Sequence, residues 1–166
     1  KGGFYGWPYC YWGQTVDERV PQNPALVATA IKPDYALGGH TASLGLCWLP
    51  EGTLPGFGDG MAIGQHGSWN RSTLSGYRVI FVPFANGKPS GPPVDVLTGF
   101  LSEQGEARGR PSGVAIDRSG ALIGGGRRQP MLPPPGDLRP LVFGYGGQKR
   151  LIDDAVDLVG LIRPGE

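Results

Sequence analysis

The sequence predicts an all-β protein built from short antiparallel strands, and three observations support this class. Glycine and proline contribute 30 and 17 of the 166 residues, which is typical of a turn-rich chain. The apolar segments between residues 26 and 123 are short, and Gly, Pro, Asp, Asn or Ser bounds each of them. Residues 77–84, YRVIFVPF, are rich in β-branched and aromatic side chains. Such a run argues for strands rather than for a disordered chain.

The strands are predicted from these apolar segments, because no amphipathic helix of ordinary length occurs in the same region. The segment at 77–84 carries the strongest strand signal. The predicted strands are 26–31, 44–48, 61–65, 77–84, 94–97, 113–116 and 121–123.

A weak internal repeat indicates how the strands are arranged. Residues 42–64 and 111–124 each contain a short apolar strand, a polar turn and a second strand that ends in Ile-Gly. Four strands separate the start of one unit from the start of the next, which is the plan of a β-propeller blade. The spacing exceeds the usual repeat of about 40–50 residues. The extra length contains GQHGSWNR at 64–71, and we expect a binding site in this long polar loop.

Charge and cysteine content exclude several classes of function. The net charge of +1 indicates neither a nucleic-acid partner nor a membrane surface. No stretch reaches the roughly 18 apolar residues of a membrane helix. Cys10 and Cys47 allow at most one disulfide, and we expect small packed side chains rather than a metal or redox site. The chain opens at Lys1 on an aromatic, turn-rich stretch, and we expect it to be a piece of a longer protein.

The character of the sequence changes near residue 123. Residues 124–140 are rich in Gly, Arg and Pro and have no strand period. Residues 148–162 space apolar side chains at near-helical intervals and predict a marginal helix. We therefore divide the chain into a β domain at 1–122 and an irregular, largely disordered tail at 123–166.

Five motifs in order resemble one family of enzymes. They are KGGFYGWP, AIKPDYALGGHTASLGL, GQHGSWNR, GYRVIFVPF and GRPSGVAIDRSGAL. Together they resemble the sorbosone and soluble glucose dehydrogenases that use pyrroloquinoline quinone, over roughly residues 1–122. The resemblance implies part of a six-bladed propeller that is periplasmic or secreted. It also implies pyrroloquinoline quinone and calcium as cofactors, and a sugar, polyol or aldehyde as substrate, with a separate electron acceptor.

The resemblance assigns roles to several side chains of this chain. Arg108 and Arg110 match paired arginines that contact the cofactor; the alternative is a solvated surface pair. Arg71 lies near the position of a basic residue that reaches the quinone. Thr41 and Ser43 fall where a hydroxyl contacts the cofactor, although hydroxyls also form turns. Arginine suits this task because its planar fork binds carboxylates through two hydrogen bonds.

His66 is not assigned as the general base. In the family that histidine comes from an early blade, upstream of Lys1, together with most calcium ligands. We expect His66 to contact the cofactor or substrate, or to be an ordinary loop histidine. Trp69 is predicted to pack under the loop, and Asn70 is predicted to stabilise the turn. Arg108, Arg110, Arg71, Thr41 and His66 are predicted to converge at one end of the fragment.

The tail departs from the family. After GAL, the resemblance implies an apolar strand followed by Ala-Asp-Asp-Val-Gly-Asn, whereas this chain has GALIGGGRRQP. A one-base shift of codons for Gly-Gly-Arg-Arg reads Ala-Asp-Asp-Val. Our hypothesis is that the residues from about 123 onward are translated out of frame.

Two further functions stay open beside the enzyme. The chain could be a non-catalytic propeller fragment that binds carbohydrate or protein, or an inactive truncated product. By itself it lacks the expected base, the calcium site and several blades, so we expect no turnover from this chain alone.

Overall fold

The computed structural model describes residues 2–118, 120–128 and 140–145. The chain divides after Ala36 into a small N-terminal unit and a larger C-terminal unit. Within the described residues, no helix has the length and apolar character needed to cross a membrane.

The N-terminal unit contains two very short strands and one turn of helix. Strand β1 (Cys10–Tyr11) pairs antiparallel with β2 (Thr15–Val16). The next residues form a tight turn in which the Arg19 side chain and backbone N–H donate to the Asp17 carboxylate. These hydrogen bonds lower the pKa of Asp17 to about 2.

The strand predicted at residues 26–31 is wrong. Its first residues belong to helix α1 (Pro24–Val27), which begins after Asn23. The Asn23 side chain accepts a hydrogen bond from the backbone N–H of Leu26 at 3.1 Å, and Pro24 occupies the first helical position. Both are helix-start signals, and they outweigh the apolar run that suggested a strand.

The C-terminal unit contains a first antiparallel sheet of five strands. Strand β4 pairs with β3 and β5, and β5 also pairs with β6 and β7. The bounds are β3 (Ser43–Leu49), β4 (Gly60–Gln65), β5 (Arg78–Ala85), β6 (Lys88–Pro89) and β7 (Val94–Leu97). Four of these strands confirm the predictions at 44–48, 61–65, 77–84 and 94–97.

A second antiparallel sheet follows, with the order β8-β9-β10. Its strands are β8 (Gly109–Ile116), β9 (Leu122–Arg128) and β10 (Pro140–Tyr145). The strands predicted at 113–116 and 121–123 are confirmed, and both are longer than predicted.

The structure differs in part from the expected irregular tail. Residues 123–128 belong to β9, and Pro140–Tyr145 pairs with them. Strand pairing uses backbone N–H and C=O groups, so a glycine run without strand-like side chains can still join a sheet. The helix predicted at 148–162 lies outside the described residues. The domain boundary at 122 and the shifted reading frame stay predictions.

One apolar core joins the two sheets of the C-terminal unit. It contains side chains from β3, β5, β7 and β9, and Phe100 from the loop between β7 and β8. The largest fully buried members are Phe100, Leu49, Leu54 and Leu122. The all-β class is therefore confirmed, and the antiparallel sheets are consistent with a propeller-like domain. The described strands form no closed sheet, and the six blades stay a prediction.

Gly45 is a close-packed point between the sheets, and it provides a test of this packing. A Cβ atom at Gly45 would overlap the carbonyl oxygen of Ser112 and lie 2.8 Å from the Cα of Gly113. Both neighbours are backbone atoms of β8, so they cannot move aside alone. We expect Gly45→Ala to lower the free energy of unfolding by about 1–3 kcal/mol, measured by urea denaturation.

Gly113→Ala is the matched control, because a Cβ there meets no atom within 4 Å. We expect it to leave the urea midpoint nearly unchanged. Equal midpoints for the two variants would show that β3 and β8 do not approach each other as described.

Candidate functional site

The register of the first sheet places two loops at the same end. Ser43, at the start of β3, pairs with Gln65, at the end of β4, and Gln65 pairs with Arg78, at the start of β5. The segment before β3 and the segment between β4 and β5 therefore leave the sheet side by side. Backbone hydrogen bonds join them: His66 N–H donates to the Ala42 carbonyl at 3.0 Å, and Gly67 N–H to the Thr41 carbonyl at 2.9 Å.

These two loops enclose a concavity of about 450 Å³. Arg71 and Arg78 supply guanidinium groups to its wall, and Thr41 and Ser75 supply hydroxyls. The full lining is Leu37, Gly38, Gly39, Thr41, Arg71, Leu74, Ser75, Gly76 and Arg78. No lining residue is acidic. Arg78 is ion-paired with Asp95, which is not a lining residue, so the positive charge of the wall comes mainly from Arg71. A positively charged wall without a carboxylate favours an anionic ligand.

Arg71 is held at the wall by the backbone of the neighbouring loop. Its Nη1 atom donates to the Gly39 carbonyl at 3.1 Å, and the Ser75 hydroxyl donates to the same carbonyl at 3.1 Å. The Arg71 side chain is otherwise exposed. The predicted site residue Arg71 therefore lines the concavity together with Thr41.

Arg78 also lines the concavity, and the sequence analysis missed it. Its Nε atom donates to Gln65 Oε1 at 3.1 Å, and its Nη1 atom contacts Asp95 Oδ1 at 2.8 Å. The available signal was position, because Arg78 is the charged residue within 77–84, the segment with the strongest strand signal. Charged residues are common at the first position of a strand, so this signal alone did not distinguish Arg78 from an ordinary surface arginine.

Arg110 contacts the loop between β4 and β5 rather than the concavity lining. Its Nη1 atom donates to the carbonyls of Gly67 and Ser68, both at 3.2 Å. Its guanidinium carbon lies 4.7 Å from the centroid of the Tyr77 ring, a cation–π distance. The Tyr77 hydroxyl donates to the same Ser68 carbonyl. Arg110 thus fixes the loop that carries Arg71 and Ser75, and a direct cofactor contact stays a prediction.

The remaining predicted residues lie at different depths. Ser43 lies behind the lining, where its hydroxyl is 3.2 Å from that of Thr41. His66 is half-buried and is not a lining residue. Arg108 is exposed, and no contact described for the structure joins its side chain to the concavity. Most of the predicted residues thus lie at one end of the first sheet or contact the loop there, namely Thr41, Ser43, His66, Arg71 and Arg110. A shared position for Arg108 stays a prediction.

The prediction that Trp69 packs under the loop is wrong. Its side chain is 86% exposed, and the neighbouring Asn70 is exposed as well. The space beneath the loop is filled by Tyr77, whose ring closely approaches the backbone of Gly67, and by the buried Ser68. The indole therefore has no room there and remains in solvent.

Across the described residues, no three His, Cys, Asp or Glu side chains come together as a metal site.

The TrAA12-like family model matches residues 27–123, which is more than half of the chain. The chain belongs to the TrAA12-like family. This agrees with the quinone-dependent sugar dehydrogenases that the sequence motifs resemble. No curated protein sequence matches the chain.

Two solved structures illustrate what this TrAA12-like chain is similar to. One is the holo form of the pyranose dehydrogenase PQQ domain from Coprinopsis cinerea, with 25% identity and a TM-score of 0.54. Another is the calcium structure of the Trichoderma reesei Carbohydrate-Active Enzymes Family AA12 protein, with 23% identity and a TM-score of 0.56, and this likeness concerns the fold. Each match covers 75% of this chain, but only 38% and 36% of the two relatives.

Proposed function

We propose that this TrAA12-like chain is part of a quinone-dependent carbohydrate dehydrogenase, and that its concavity binds the carboxylates of pyrroloquinoline quinone. The observation that carries the proposal is the lining itself, which combines Arg71, Arg78, Thr41 and Ser75 with no acidic residue. The similar PQQ domain of the Coprinopsis cinerea enzyme supports the same ligand class.

The donor set fits such a ligand. Pyrroloquinoline quinone is a planar tricarboxylate, and arginine binds carboxylates through charge-assisted hydrogen bonds. Arg71 and Arg78 would hold carboxylates, while the Thr41 and Ser75 hydroxyls would supply further polar contacts. Leu37 and Leu74 line the same concavity and would cover part of the ring system.

The residues of this chain position and charge the cofactor. When bound, the quinone supplies the two-electron acceptor for oxidation of a sugar hydroxyl or hydrated aldehyde. Arg71 raises the local positive potential and so favours the anionic ligand, while Arg78, ion-paired with Asp95, supplies a hydrogen-bond donor. We assign no general base within this chain. The same proposal includes further points that rest on the sequence resemblance. They are an aldose of the sorbosone or glucose type as substrate, calcium as second cofactor, and a periplasmic or secreted location.

Titration of the full chain with pyrroloquinoline quinone, with and without calcium, tests the proposal through the absorbance of the cofactor. We expect saturable binding. We expect Arg71→Gln to weaken it about 10- to 100-fold, because one charged hydrogen-bonding partner is lost. The matched control is Arg118→Gln, an exposed arginine after β8, which should bind as the wild type does. Absence of saturable binding, or equal affinity of Arg71→Gln and wild type, would contradict the assignment.

A further inference from the structure

Gln65 is a fully buried polar residue at the end of β4. Its exposed fraction is 0%, although it lies at the mouth of the sheet beside the concavity. Buried polar side chains are retained where every donor and acceptor has a partner, because an unmade hydrogen bond in the interior destabilises the fold. The partners of Gln65 therefore indicate what the residue does.

Two partners determine the orientation of the Gln65 amide. Arg78 Nε can only donate, so the atom that faces it at 3.1 Å is the amide oxygen Oε1. The Leu37 carbonyl can only accept, so the atom that faces it at 3.4 Å is the amide nitrogen Nε2. Neither contact allows the reversed amide.

This orientation determines the direction of the hydrogen bonds that follow. Nε2 also donates to the Ser43 hydroxyl at 3.3 Å. The Thr41 hydroxyl donates to the Gly38 carbonyl at 3.4 Å, so the single hydrogen of Ser43 is directed at the Thr41 oxygen, 3.2 Å away. A directed chain thus runs from Arg78 through Gln65 and Ser43 to Thr41.

The two ends of this chain lie on the concavity. Arg78, Leu37 and Thr41 are lining residues, whereas Gln65 and Ser43 lie behind them. One buried amide therefore joins β5, which carries Arg78, to the segment before β3, which carries Leu37 and Thr41. An apolar side chain of the same volume would fill the space but would leave Arg78 and Ser43 without this partner.

We propose that Gln65 is a positioning residue that holds Arg78 and Thr41 in the geometry that binds the anionic cofactor. This rests on the proposed function of the concavity. Gln65 itself does not line the concavity, so its effect on binding passes through Arg78 and through Ser43 and Thr41.

A double-mutant cycle in the full chain tests the proposal, with quinone affinity as the measurement. We expect Gln65→Met and Arg78→Gln each to weaken quinone binding about tenfold, from the loss of one such partner. Because the two changes share the contact between Gln65 and Arg78, we expect the double variant to lose clearly less than the hundredfold that independent effects would give. A merely structural role of Gln65 would not produce this coupling.

Gln14→Met is the matched control, because the exposed Gln14 amide also donates to a backbone carbonyl, that of Ala28, at 3.1 Å. It should bind the quinone as tightly as wild type. A second variant, Gln65→Glu, keeps an acceptor for Arg78 but has no N–H for Ser43 and Leu37. We expect it to lose part of that tenfold, because the contact with Arg78 is kept and the hydrogen bonds to Ser43 and Leu37 are lost. Wild-type affinity in Gln65→Glu would overturn the proposal even where Gln65→Met fails to fold.

The outcomes separate this proposal from the proposed function. If wild type binds the quinone and the two effects multiply, Gln65 does not act through Arg78 and the inference fails alone. If wild type binds no quinone, the proposed function fails. Urea denaturation of wild type, the two single variants and the double variant then tests whether Gln65 and Arg78 are coupled. A midpoint shift in the double variant no larger than in the more affected single variant supports the coupling. Additive shifts overturn it.

Discussion

Phe100→Ala lowers the free energy of unfolding by about 3–5 kcal/mol, the expected loss for a large aromatic side chain removed from a packed core. Phe100 is 1% exposed and belongs to the core that joins the two sheets. Its backbone carbonyl also accepts hydrogen bonds from the N–H groups of Arg108 and Gly109, so it lies where the loop after β7 enters β8. Urea or thermal unfolding of the full chain measures the effect.

Leu46→Ala is the control for this substitution. Leu46 is also a large apolar residue, but its side chain is 65% exposed on β3. We expect its removal to change the free energy of unfolding by less than about 0.5 kcal/mol. If the two variants unfold at the same urea concentration, the core assigned to the C-terminal unit is incorrect.

Arg110→Ala should destabilise the chain by about 2–4 kcal/mol and also weaken quinone binding more than tenfold. The stability loss comes from two hydrogen bonds of a charged donor, to the carbonyls of Gly67 and Ser68, and from the contact with the Tyr77 ring. The binding loss follows because the freed loop carries Arg71 and Ser75. Urea denaturation and quinone titration of the same samples measure the two effects.

Arg118→Ala is the control for Arg110. Arg118 is also an arginine, but it is exposed and lies in the turn after β8. It should change neither quantity. Quinone affinity lost without any loss of stability would favour direct contact between Arg110 and the cofactor, as the resemblance implies. Unchanged stability together with unchanged affinity would contradict both roles.

The sequence alone was sufficient for the all-β class and for the family, whereas the six blades stay a prediction. The strands at 44–48, 61–65, 77–84 and 94–97 were predictable because a strand bounded by turn residues is encoded locally, within a few neighbouring side chains. The motifs that carry the family resemblance are local in the same sense. The family resemblance named Arg71 and Thr41, and both line one concavity in the structure. Their role as cofactor-binding residues stays a prediction.

Only the tertiary structure decided what the other side chains contact. Arg108 and Arg110 look equivalent in the sequence, yet Arg108 is exposed, whereas Arg110 reaches carbonyls 42 and 43 positions away. Gln65 and Arg78 lie within two of the motifs, but neither was assigned a role, and they matter because strand register places them side by side. Trp69 is excluded from the loop interior because Tyr77 and Ser68 already fill it. Register and close packing depend on residues far apart in the chain, and a pattern read along neighbouring positions does not contain them.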